Sequence, residues 1–413
     1  MTTSASPEAF EDVAAPSRTY GGMVWAELRK KPVAMFGLRC ITGLFLLATF
    51  APLVALDQPI LWNGGEGWRF PLFSALFNRL LFENSVDVFF NLIFVLFPVY
   101  VLLYRVFRKR GRSVLEAAGR LAALHAVVFT LTAPERFGSL ENPLHQSRAV
   151  VDYRALSAER AAAGHPATAV FPLVPRSYRA TNPAESVQAP SREHWLGTDT
   201  EGRDVFARML YGTRISLTIG VVAVAIYVGI GVALGAVAGY FGGFVDSVVS
   251  RAIEVMICFP SFFLILTLAA MVQQRSIFHV MAIIGITSWT GVARLVRAEF
   301  LKHKALEYAQ AALALGLSRP RIIFRHILPN AMGPVLVTAT FGIASAILIE
   351  SSLSFLGIGD VTAASWGETL NTGRLEGKLW LIAAPGFAIF FVVTVFNLVG
   401  EGLQDALDPK QKS

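Results

Sequence analysis

Long apolar runs with few charges dominate this 413-residue chain and limit what it can fold into. A helix needs about 20 consecutive apolar residues to cross a bilayer, and several runs approach that length. Only 16% of the residues are charged, against about 25% in a typical soluble domain. We therefore predict an all-α polytopic membrane helix bundle, and not a secreted, disordered or nucleic-acid-binding protein. The runs are Val33 to Leu56, Val88 to Tyr104, Ser216 to Ala238, Val255 to Val272, Ser276 to Ala293, Ala331 to Ile349 and Leu379 to Gly400.

A weaker apolar run covers residues 113 to 133, where Glu116, Arg120 and His125 interrupt it. A basic cluster, Arg105 to Arg112, lies just before this run, and the positive-inside rule places such clusters in the cytoplasm. The weak run and the run before it are therefore predicted to form an extra transmembrane hairpin, near residues 86 to 133, with a cytoplasmic tip.

Basic residues also predict the orientation of the spans. Arg29, Lys30 and Lys31 precede the first span, which indicates that the chain enters the membrane from the cytoplasm. With the hairpin included, eight spans are expected and both termini are cytoplasmic. The predicted units are a cytoplasmic N-terminal segment (1–32), the first span plus the extra hairpin (33–133), a proline-rich extracytoplasmic loop or small lid (134–195) and a core (196–409) with a cytoplasmic loop at 298–330.

The loop at 298–330 carries the most distinctive local pattern. Alanine and leucine favour a short helix after Glu307, and Gly316 is predicted to end that helix in a left-handed conformation. Ser318 is predicted to be the N-cap of a second short helix, which ends at Pro329. Small side chains beside a sharp turn predict a compact knob that inserts into a groove on a soluble partner. The small residues are Ala309, Ala311, Ala312 and Ala314.

Two further patterns concern the span that begins near Ser216. Glycines at every fourth residue, Gly231, Gly235, Gly239 and Gly243, predict a close approach of two helices. The alternative is that glycine is simply frequent in membrane helices. Before the span, Thr198 to Arg214 has apolar residues at helical spacing and is predicted to be an interfacial helix.

The motif around Gly316 resembles the EAA loop of the integral membrane subunits of binding-protein-dependent ABC importers. It consists of Gln310-Ala311-Ala312, then Gly316, then His326-Ile327-Leu328-Pro329. Flanking motifs are similar to those of the dipeptide, oligopeptide and nickel permeases, and the resemblance covers Trp195 to Pro409 plus the first span. These motifs are Leu196-Gly197-Thr198-Asp199, Gly202-Arg203-Asp204-Val205, Leu210-Tyr211-Gly212-Thr213-Arg214-Ile215-Ser216, Gly239-Tyr240-Phe241-Gly242-Gly243, Leu353-Ser354-Phe355-Leu356-Gly357 and Asp405-Ala406-Leu407-Asp408-Pro409.

This resemblance implies a multi-pass permease subunit of the bacterial inner membrane, with a core of about six spans. It also implies the partners: a second permease subunit, two cytoplasmic ATPase subunits and an extracytoplasmic solute-binding protein that delivers peptides or a similar small solute. The lipid bilayer is the remaining partner, and no cofactor or nucleic acid is implied. The residues implied in ATPase coupling are Glu307, Gln310, Ala311, Ala312, Gly316 and Pro329.

The chain departs from the family pattern at three points. Gln310 stands where the family has Glu, and His326 stands where Ile is common. Glu307 lies one helical turn before Gln310 and cannot be assumed to replace the missing acid. The hairpin is outside the usual six-span pattern.

The outer loop before the last span contains two candidates for docking the solute-binding protein. Trp and Arg are favoured at protein interfaces, so Trp366 and Arg374 are predicted to dock that protein or to line the outer mouth. The alternative for Trp366 is an anchor in the aromatic belt at the membrane interface.

The sequence also bears on whether the chain is an enzyme. It contains no G-x-x-x-x-G-K-[ST] pattern, because its Gly377-Lys378 pair is followed by Leu379. The seven histidines lack metal-ligand spacing, so no metal site is expected and the chain is predicted not to be an enzyme. The alternative function is a secondary transporter or channel that does not depend on ATPase subunits.

Overall fold

The computed structural model describes residues 20–132, 147–273 and 275–407, which are mainly helical. Residues 1–19 of the predicted N-terminal segment, residues 134–146 of the predicted loop and residues 408–409 of the predicted core lie outside the described residues.

The strands are β1 (Leu61–Asn63), β2 (Trp68–Arg69) and β3 (Thr168–Val170). The helices are α1 (Tyr20–Leu28), α2 (Pro32–Thr49), α3 (Ala51–Val54), α4 (Pro71–Ala75), α5 (Ser85–Lys109), α6 (Val114–Thr132), α7 (Tyr153–Ala162), α8 (Val205–Phe241), α9 (Gly243–Ile257), α10 (Ser261–Met271), α11 (Ile277–Thr287), α12 (Trp289–Lys304), α13 (Glu307–Ala314), α14 (Arg319–Arg321), α15 (Leu328–Phe355), α16 (Trp366–Glu376) and α17 (Leu379–Leu407).

Helix α8 lies at the centre of the bundle and packs against α11, α12 and α15. Its N-cap is Asp204, whose side chain accepts the Ala207 N–H at 2.9 Å. The helix then continues for 37 residues without a break. The predicted interfacial helix from Thr198 to Arg214 is therefore wrong. Because the cap at Asp204 fixes the start at Val205, the residues before it form a turn closed by a Thr198–Asp204 bridge, and those after it belong to the span.

A seam of glycines on α8 contacts α12. A Cβ atom on Gly231 would lie 2.6 Å from the Val292 Cβ, and a Cβ atom on Gly235 would lie 2.5 Å from the Ala293 carbonyl oxygen. Gly239 is equally close to α12. The predicted close approach is confirmed at these three positions. Gly243 differs, since it begins α9 with a φ of +52° and has open space around it.

Helices α5 and α6 form the predicted hairpin and pack against each other. The chain reverses at Gly111, whose φ of +74° is a left-handed conformation that suits glycine. Across the hairpin, the Tyr100 hydroxyl and the His125 Nδ1 are 2.8 Å apart and form a hydrogen bond. The extra hairpin is thus confirmed as a pair of packed helices.

Most of the predicted spans correspond to helices that are long and apolar enough to cross a membrane. Among the described residues there are six, or up to seven if one bent helix pair counts as a span, against the eight expected. The six are 32–49, 85–109, 205–241, 277–304, 319–355 and 379–407.

The bent pair consists of α9 and α10, whose axes differ by 80°. Pro260 lies at the bend as the N-cap of α10, in an extended conformation. Proline lacks a backbone N–H and its ring disfavours a helical conformation of the residue before it, so the two helices cannot join smoothly. The predicted run from Val255 to Val272 is therefore divided between two helices and is not one straight helix.

An accessory domain, formed by residues 55–84 and 147–204, lies on either side of the hairpin in sequence. Its three-stranded antiparallel sheet has the order β2-β1-β3, with Trp62 opposite Arg69 on one side and Ala169 on the other. Helices α4 and α7 belong to the same domain. The regular structure was not predicted, because strands of two or three residues that pair across a hairpin leave no local pattern. The all-α class holds for the rest of the described chain.

Candidate functional site

The predicted turn after α13 has the expected conformation. Gly316 has a φ of +74°, so it is left-handed. Its N–H donates to the Leu313 carbonyl oxygen at 3.0 Å, and the Leu317 N–H donates to the Ala312 carbonyl oxygen at 3.2 Å. These bonds satisfy carbonyl groups at the end of α13, as is usual where a glycine ends a helix.

The two faces of α13 have different surroundings. Ala309 and Ala312 are buried in the main apolar cluster of the bundle, while Gln310 and Ala311 are exposed. The predicted knob of four outward alanines is therefore wrong for two of them. Their small size instead lets α13 lie close to its own bundle, because the helix packs against the segment that follows the glycine turn.

The exposed surface of the turn is more apolar than the sequence analysis predicted. Leu315 is 81% exposed, and Leu313 and Phe324 are 60% and 67% exposed. We name these three side chains the apolar edge. Large apolar residues exposed beside a tight turn often mark a protein interface. Their position on either side of Gly316, in a loop otherwise rich in arginine, was the signal that could have identified them.

The polar residues of α13 make local contacts. The Gln310 amide Nε2 donates to the Ala305 carbonyl oxygen at 3.1 Å, so it fastens α13 to the end of α12. Glu307 is exposed in the first turn of α13, where the positive end of the helix dipole stabilises its negative charge. The Tyr308 hydroxyl lies 2.9 Å from the His303 Nδ1, and burial raises the pKa of Tyr308. Tyr308 therefore stays protonated at neutral pH.

The segment after Gly316 does not end at Pro329. Ser318 is the N-cap of α14, as predicted, but its side chain makes no capping hydrogen bond. The chain then continues through a π-helical turn, Ile322–Ile327, directly into α15. Pro329 sits in the first turn of α15, where its missing N–H is tolerated, and the wider π turn before it gives its ring room. The predicted stop at Pro329 is wrong for that reason.

An open cavity of about 470 Å³ lies beside the exposed side of α13. Lys304 closes one side of this cavity, and its Nζ donates to the Tyr240 carbonyl oxygen at 2.7 Å, at the end of α8. The cavity is therefore bounded both by the knob and by the central helix. Its lining residues are Tyr240, Lys304, Ala309, Gln310, Leu313, Ala314, Ile322 and Ile327.

Helix α12 connects the knob to the centre of the bundle. It ends just before α13, and its other face carries Val292 and Ala293 against the glycine seam of α8. The Arg297 guanidinium binds the Asp246 carboxylate of α9, with an Nη2 to Oδ2 distance of 2.6 Å. A displacement of α13 would therefore act on α8 and α9 through one rigid helix.

Trp366 is only 2% exposed, at the opposite end of α8. Its indole N–H donates to the Met209 carbonyl oxygen at 2.9 Å, and Gly212 leaves room for the ring. In this conformation its side chain is buried, whereas docking or anchoring in the membrane belt would need it exposed. The reason is that α16 folds back onto α8. Arg374, on the same helix, is exposed and donates to the Asn371 Oδ1 at 2.8 Å.

A buried polar cluster that was not predicted joins the hairpin to α8. The guanidinium of Arg214 donates to the Asp87 Oδ1 and to the Asn91 Oδ1, each at 2.9 Å, and to the Ala48 carbonyl oxygen at 2.8 Å. The Tyr178 hydroxyl of the accessory domain donates to the other carboxylate oxygen of Asp87, at 2.8 Å. We name Arg214, Asp87, Asn91 and Tyr178 the Arg214 cluster. Polar residues at positions 87 and 91, one turn apart in an apolar helix, were the available signal.

No group of three or more His, Cys, Asp or Glu side chains that could hold a metal ion occurs in the part of the chain that the structure describes. The described features are an exposed apolar turn and buried polar contacts.

Comparisons with known proteins agree with the motifs. The family model for the binding-protein-dependent transport system inner membrane component matches residues 231–413, and the model for the N-terminal TM domain of oligopeptide transport permease C matches residues 19–62. The dipeptide transport system permease protein DppC of Alkalihalophilus pseudofirmus is 42% identical over 244 residues, which are 58% of this chain and 80% of that protein. The oligopeptide transport system permease protein OppC of Haemophilus influenzae is 40% identical over 243 residues, 58% of this chain and 78% of that protein.

Among solved structures, the MetNI methionine ABC transporter matches 49% of this chain and 97% of that chain, with a TM-score of 0.41 and 14% identity, which is too low to add to the assignment. The relatives found by sequence are sufficient to assign the family. With 42% identity to a relative that it covers over four fifths of its length, the chain belongs to the family of binding-protein-dependent transport system inner membrane components, as its motifs predicted.

Proposed function

We propose that this chain is the permease subunit of an ATP-driven importer that moves peptides or a similar small solute into the cytoplasm. Relatives named as dipeptide and oligopeptide permeases support the cargo class. The observation that carries the proposal is the exposed apolar edge at the Gly316 turn. This turn follows α12, the helix that packs along the glycine seam. It provides a surface on which an ATPase subunit can act on the membrane helices.

The partners follow from what this chain lacks and from its family. Its sequence has no phosphate-binding loop of the G-x-x-x-x-G-K-[ST] type, so two ATPase subunits would supply ATP hydrolysis. A second permease subunit would complete the pathway, and a solute-binding protein would deliver the cargo. On this view the chain is a transporter subunit with no ATPase site of its own.

Coupling would begin at the knob. The apolar edge would insert into a groove on the ATPase, since burial of Leu313, Leu315 and Phe324 removes apolar surface from water. Gly316 would set the angle of the knob, Gln310 would hold it to α12, and Ala311 would allow close approach. ATP-driven movement of the ATPases would then tilt α12 and α8 together. Glu307 would offer an exposed charge at the rim, and Pro329 would begin the following helix.

The topology in the membrane follows from the accessory domain. Strand β1 precedes the hairpin and pairs with β3, which follows it. The hairpin must therefore start and end on the same side, so α6 returns across the membrane if α5 crosses it. With α9 and α10 as one broken span, the chain would make eight passages. Both termini would lie in the cytoplasm, because basic residues 29–31 precede the first span.

The accessory domain and Arg374 would then face the solute-binding protein. Arg374 is exposed on α16, and its guanidinium lies over the Phe355 ring at 5.2 Å from the ring centre. An exposed arginine suits a protein interface. Trp366 would support this surface from beneath, by fixing α16 to α8.

The coupling role is tested with Gly316→Val in the assembled importer. Valine in a left-handed conformation strains the backbone by about 1 to 2 kcal/mol, which would misplace the knob. Gly111→Val is the matched control, because Gly111 has the same φ of +74° and the same open space at the hairpin tip. We expect Gly316→Val to lose ATPase copurification and ATP-driven peptide uptake into vesicles, and Gly111→Val to keep both.

Leu315→Asp provides a second variant without backbone strain and should also weaken ATPase binding. A Gly316→Val complex that retains its ATPases and transports at the wild-type rate would contradict the coupling role. Uptake driven by an ion gradient alone, without ATP, would instead support the secondary transporter or channel.

A further inference from the structure

A shallow cavity of about 370 Å³ lies at the beginning of α2. Three of its five lining residues are basic, namely Arg29, Lys30 and Arg39, and the other two are Pro32 and Met35. The cavity therefore combines converging positive charge with an apolar floor. None of these residues belongs to the knob, the glycine seam or the Arg214 cluster.

Within the described residues, the positive charge of this cavity is only partly neutralised. Lys30 pairs with Glu27 at 2.9 Å, and the guanidinium of Arg29 lies over the Trp25 ring, 5.6 Å from the ring centre. Arg39 makes no hydrogen bond or ion pair with any residue that the structure describes. The neighbouring Lys31 points elsewhere, since its Nζ binds the Asp405 carboxylate at 3.1 Å. The three basic side chains of the cavity thus have one carboxylate partner, Glu27. Lys30 and Glu27, which form that ion pair, are both exposed.

The position of Arg39 is unusual for an unpaired cation. It lies seven residues after Pro32, which places it about 10 Å along a helix that is long and apolar enough to span a membrane. Val33 and Phe36, on neighbouring positions of the same helix, are each 56% exposed, as expected for side chains that face lipid. The long side chain of an arginine at this depth extends to the membrane–water interface, where lipid headgroups supply anionic groups.

The start of α2 adds to the attraction for an anion. Pro32 occupies the first turn and no side chain caps the helix, so the first N–H groups after the proline lack a capping acceptor. The positive end of the helix dipole favours an anion near the start of α2, where the cavity lies.

We propose that this cavity binds the phosphate headgroup of an anionic phospholipid. Arg29 and Lys30 contact the phosphate from the side of α1, Arg39 contacts it from the side of the span, and Met35 and Pro32 pack against the glycerol and the first acyl carbons. The phosphate is assigned to a lipid because the lining residues Pro32 and Met35 adjoin Val33 and Phe36, whose exposed apolar side chains suit contact with lipid. Basic pockets at the ends of spans bind such headgroups in other membrane proteins.

The bound lipid would hold the first span at the place where two terminal segments meet. Helix α1 packs against α17, and Lys31, just before α2, binds Asp405 at the end of α17. The lipid adds a fixed anion next to this junction. The inference is independent of the transported solute.

The test is native mass spectrometry of the purified importer, with the full chain, titrated with dioleoyl phosphatidylglycerol or dioleoyl phosphatidylcholine. Each basic residue near a membrane surface changes affinity by about fivefold, so Arg29→Gln with Arg39→Gln should weaken phosphatidylglycerol binding by roughly 30-fold. The matched control is Arg105→Gln with Arg110→Gln, which removes the same charge from the exposed hairpin tip. We expect the control to bind phosphatidylglycerol like the wild type, and phosphatidylcholine binding to be equal in all three proteins.

Three results would overturn the proposal. One is unchanged phosphatidylglycerol affinity in the Arg29 and Arg39 double variant. The second is an equal loss in the hairpin-tip control, which would mean that net charge and not the cavity attracts the lipid. The third is displacement of the lipid by millimolar inorganic phosphate, which would identify a site for a soluble anion.

Discussion

On its path through the bundle, α8 meets α12 through a seam of glycines and α5 through a buried arginine. The seam has no polar side chains, and the helices touch because Gly231 and Gly235 leave space for the backbone and side chains of α12. The other junction depends on Arg214, which is fully buried and binds Asp87 and Asn91. The first contact depends on shape and the second on paired charge.

This difference matters because a lipid environment changes how much each kind of contact stabilises the bundle. Apolar surface gains little by leaving a lipid environment, so helices in a membrane associate through close packing of small residues and through hydrogen bonds. The seam uses packing along the route from the knob to the centre of the bundle. The Arg214 cluster uses hydrogen bonds where the hairpin and the accessory domain join the core.

The largest expected effect comes from breaking the charge-based junction. Asp87→Ala leaves Arg214 buried without its counter-ion, which should lower the free energy of unfolding by about 3 to 5 kcal/mol. Denaturant unfolding of the purified chain in detergent measures the change. The control is Asp405→Ala, which breaks the exposed pair with Lys31 and should cost less than about 1 kcal/mol. Equal losses in the two variants would show that the Arg214 cluster is not a stabilising junction.

A smaller effect is expected from crowding the shape-based junction. Gly235→Ala adds a Cβ that would lie 2.5 Å from the Ala293 carbonyl oxygen, a backbone atom that can move only with its helix. Overpacking of this kind costs about 1 to 3 kcal/mol. Gly229→Ala, on the same helix with open space around it, is the matched control and should be neutral or slightly stabilising. The same unfolding measurement applies, and a neutral Gly235→Ala would contradict close packing at the seam.

The smallest expected effect separates the accessory domain from the Arg214 cluster. Tyr178→Phe removes one hydrogen bond to Asp87 and leaves the Arg214 pair in place, so the expected loss is about 1.5 kcal/mol. Burial raises the pKa of the Tyr178 phenol well above its usual value of 10.0. Because the folded state keeps this proton longer than the unfolded state, the stabilisation should be constant below pH 10.0 and fall above it. A loss that already varies between neutral and mildly alkaline pH would contradict this assignment.

Much of the bundle and part of the candidate site were predictable from local pattern. Gly316 was expected to be left-handed and is, because a glycine after an alanine-rich helix is a local signal. The hairpin near 86 to 133 was expected from two apolar runs with a basic tip. The bend at Pro260 was harder to predict, since a proline near the start of a helix and a proline at a break have the same local sequence.

The burial of Trp366 and the direction of Ala309 and Ala312 were not predictable in this way. A tryptophan in a polar outer loop suggests an exposed anchor, but its environment depends on where α16 folds. Likewise, alanines on a short helix do not reveal which face meets the bundle. The environment of Trp366 depends on a segment far away in sequence, since Trp366 and Met209 are 157 positions apart.

The sequence alone determined the helical bundle, the family and the glycine turn of the knob, because helix formation in lipid and left-handed turns depend on neighbouring residues. Only the tertiary structure decided that Asp87 of the hairpin meets Arg214 of the core, 127 positions apart. It also decided that β1 and β3 pair across the hairpin and that Arg29, Lys30 and Arg39 surround one cavity. These contacts depend on how whole helices pack, and no single stretch of sequence contains that information.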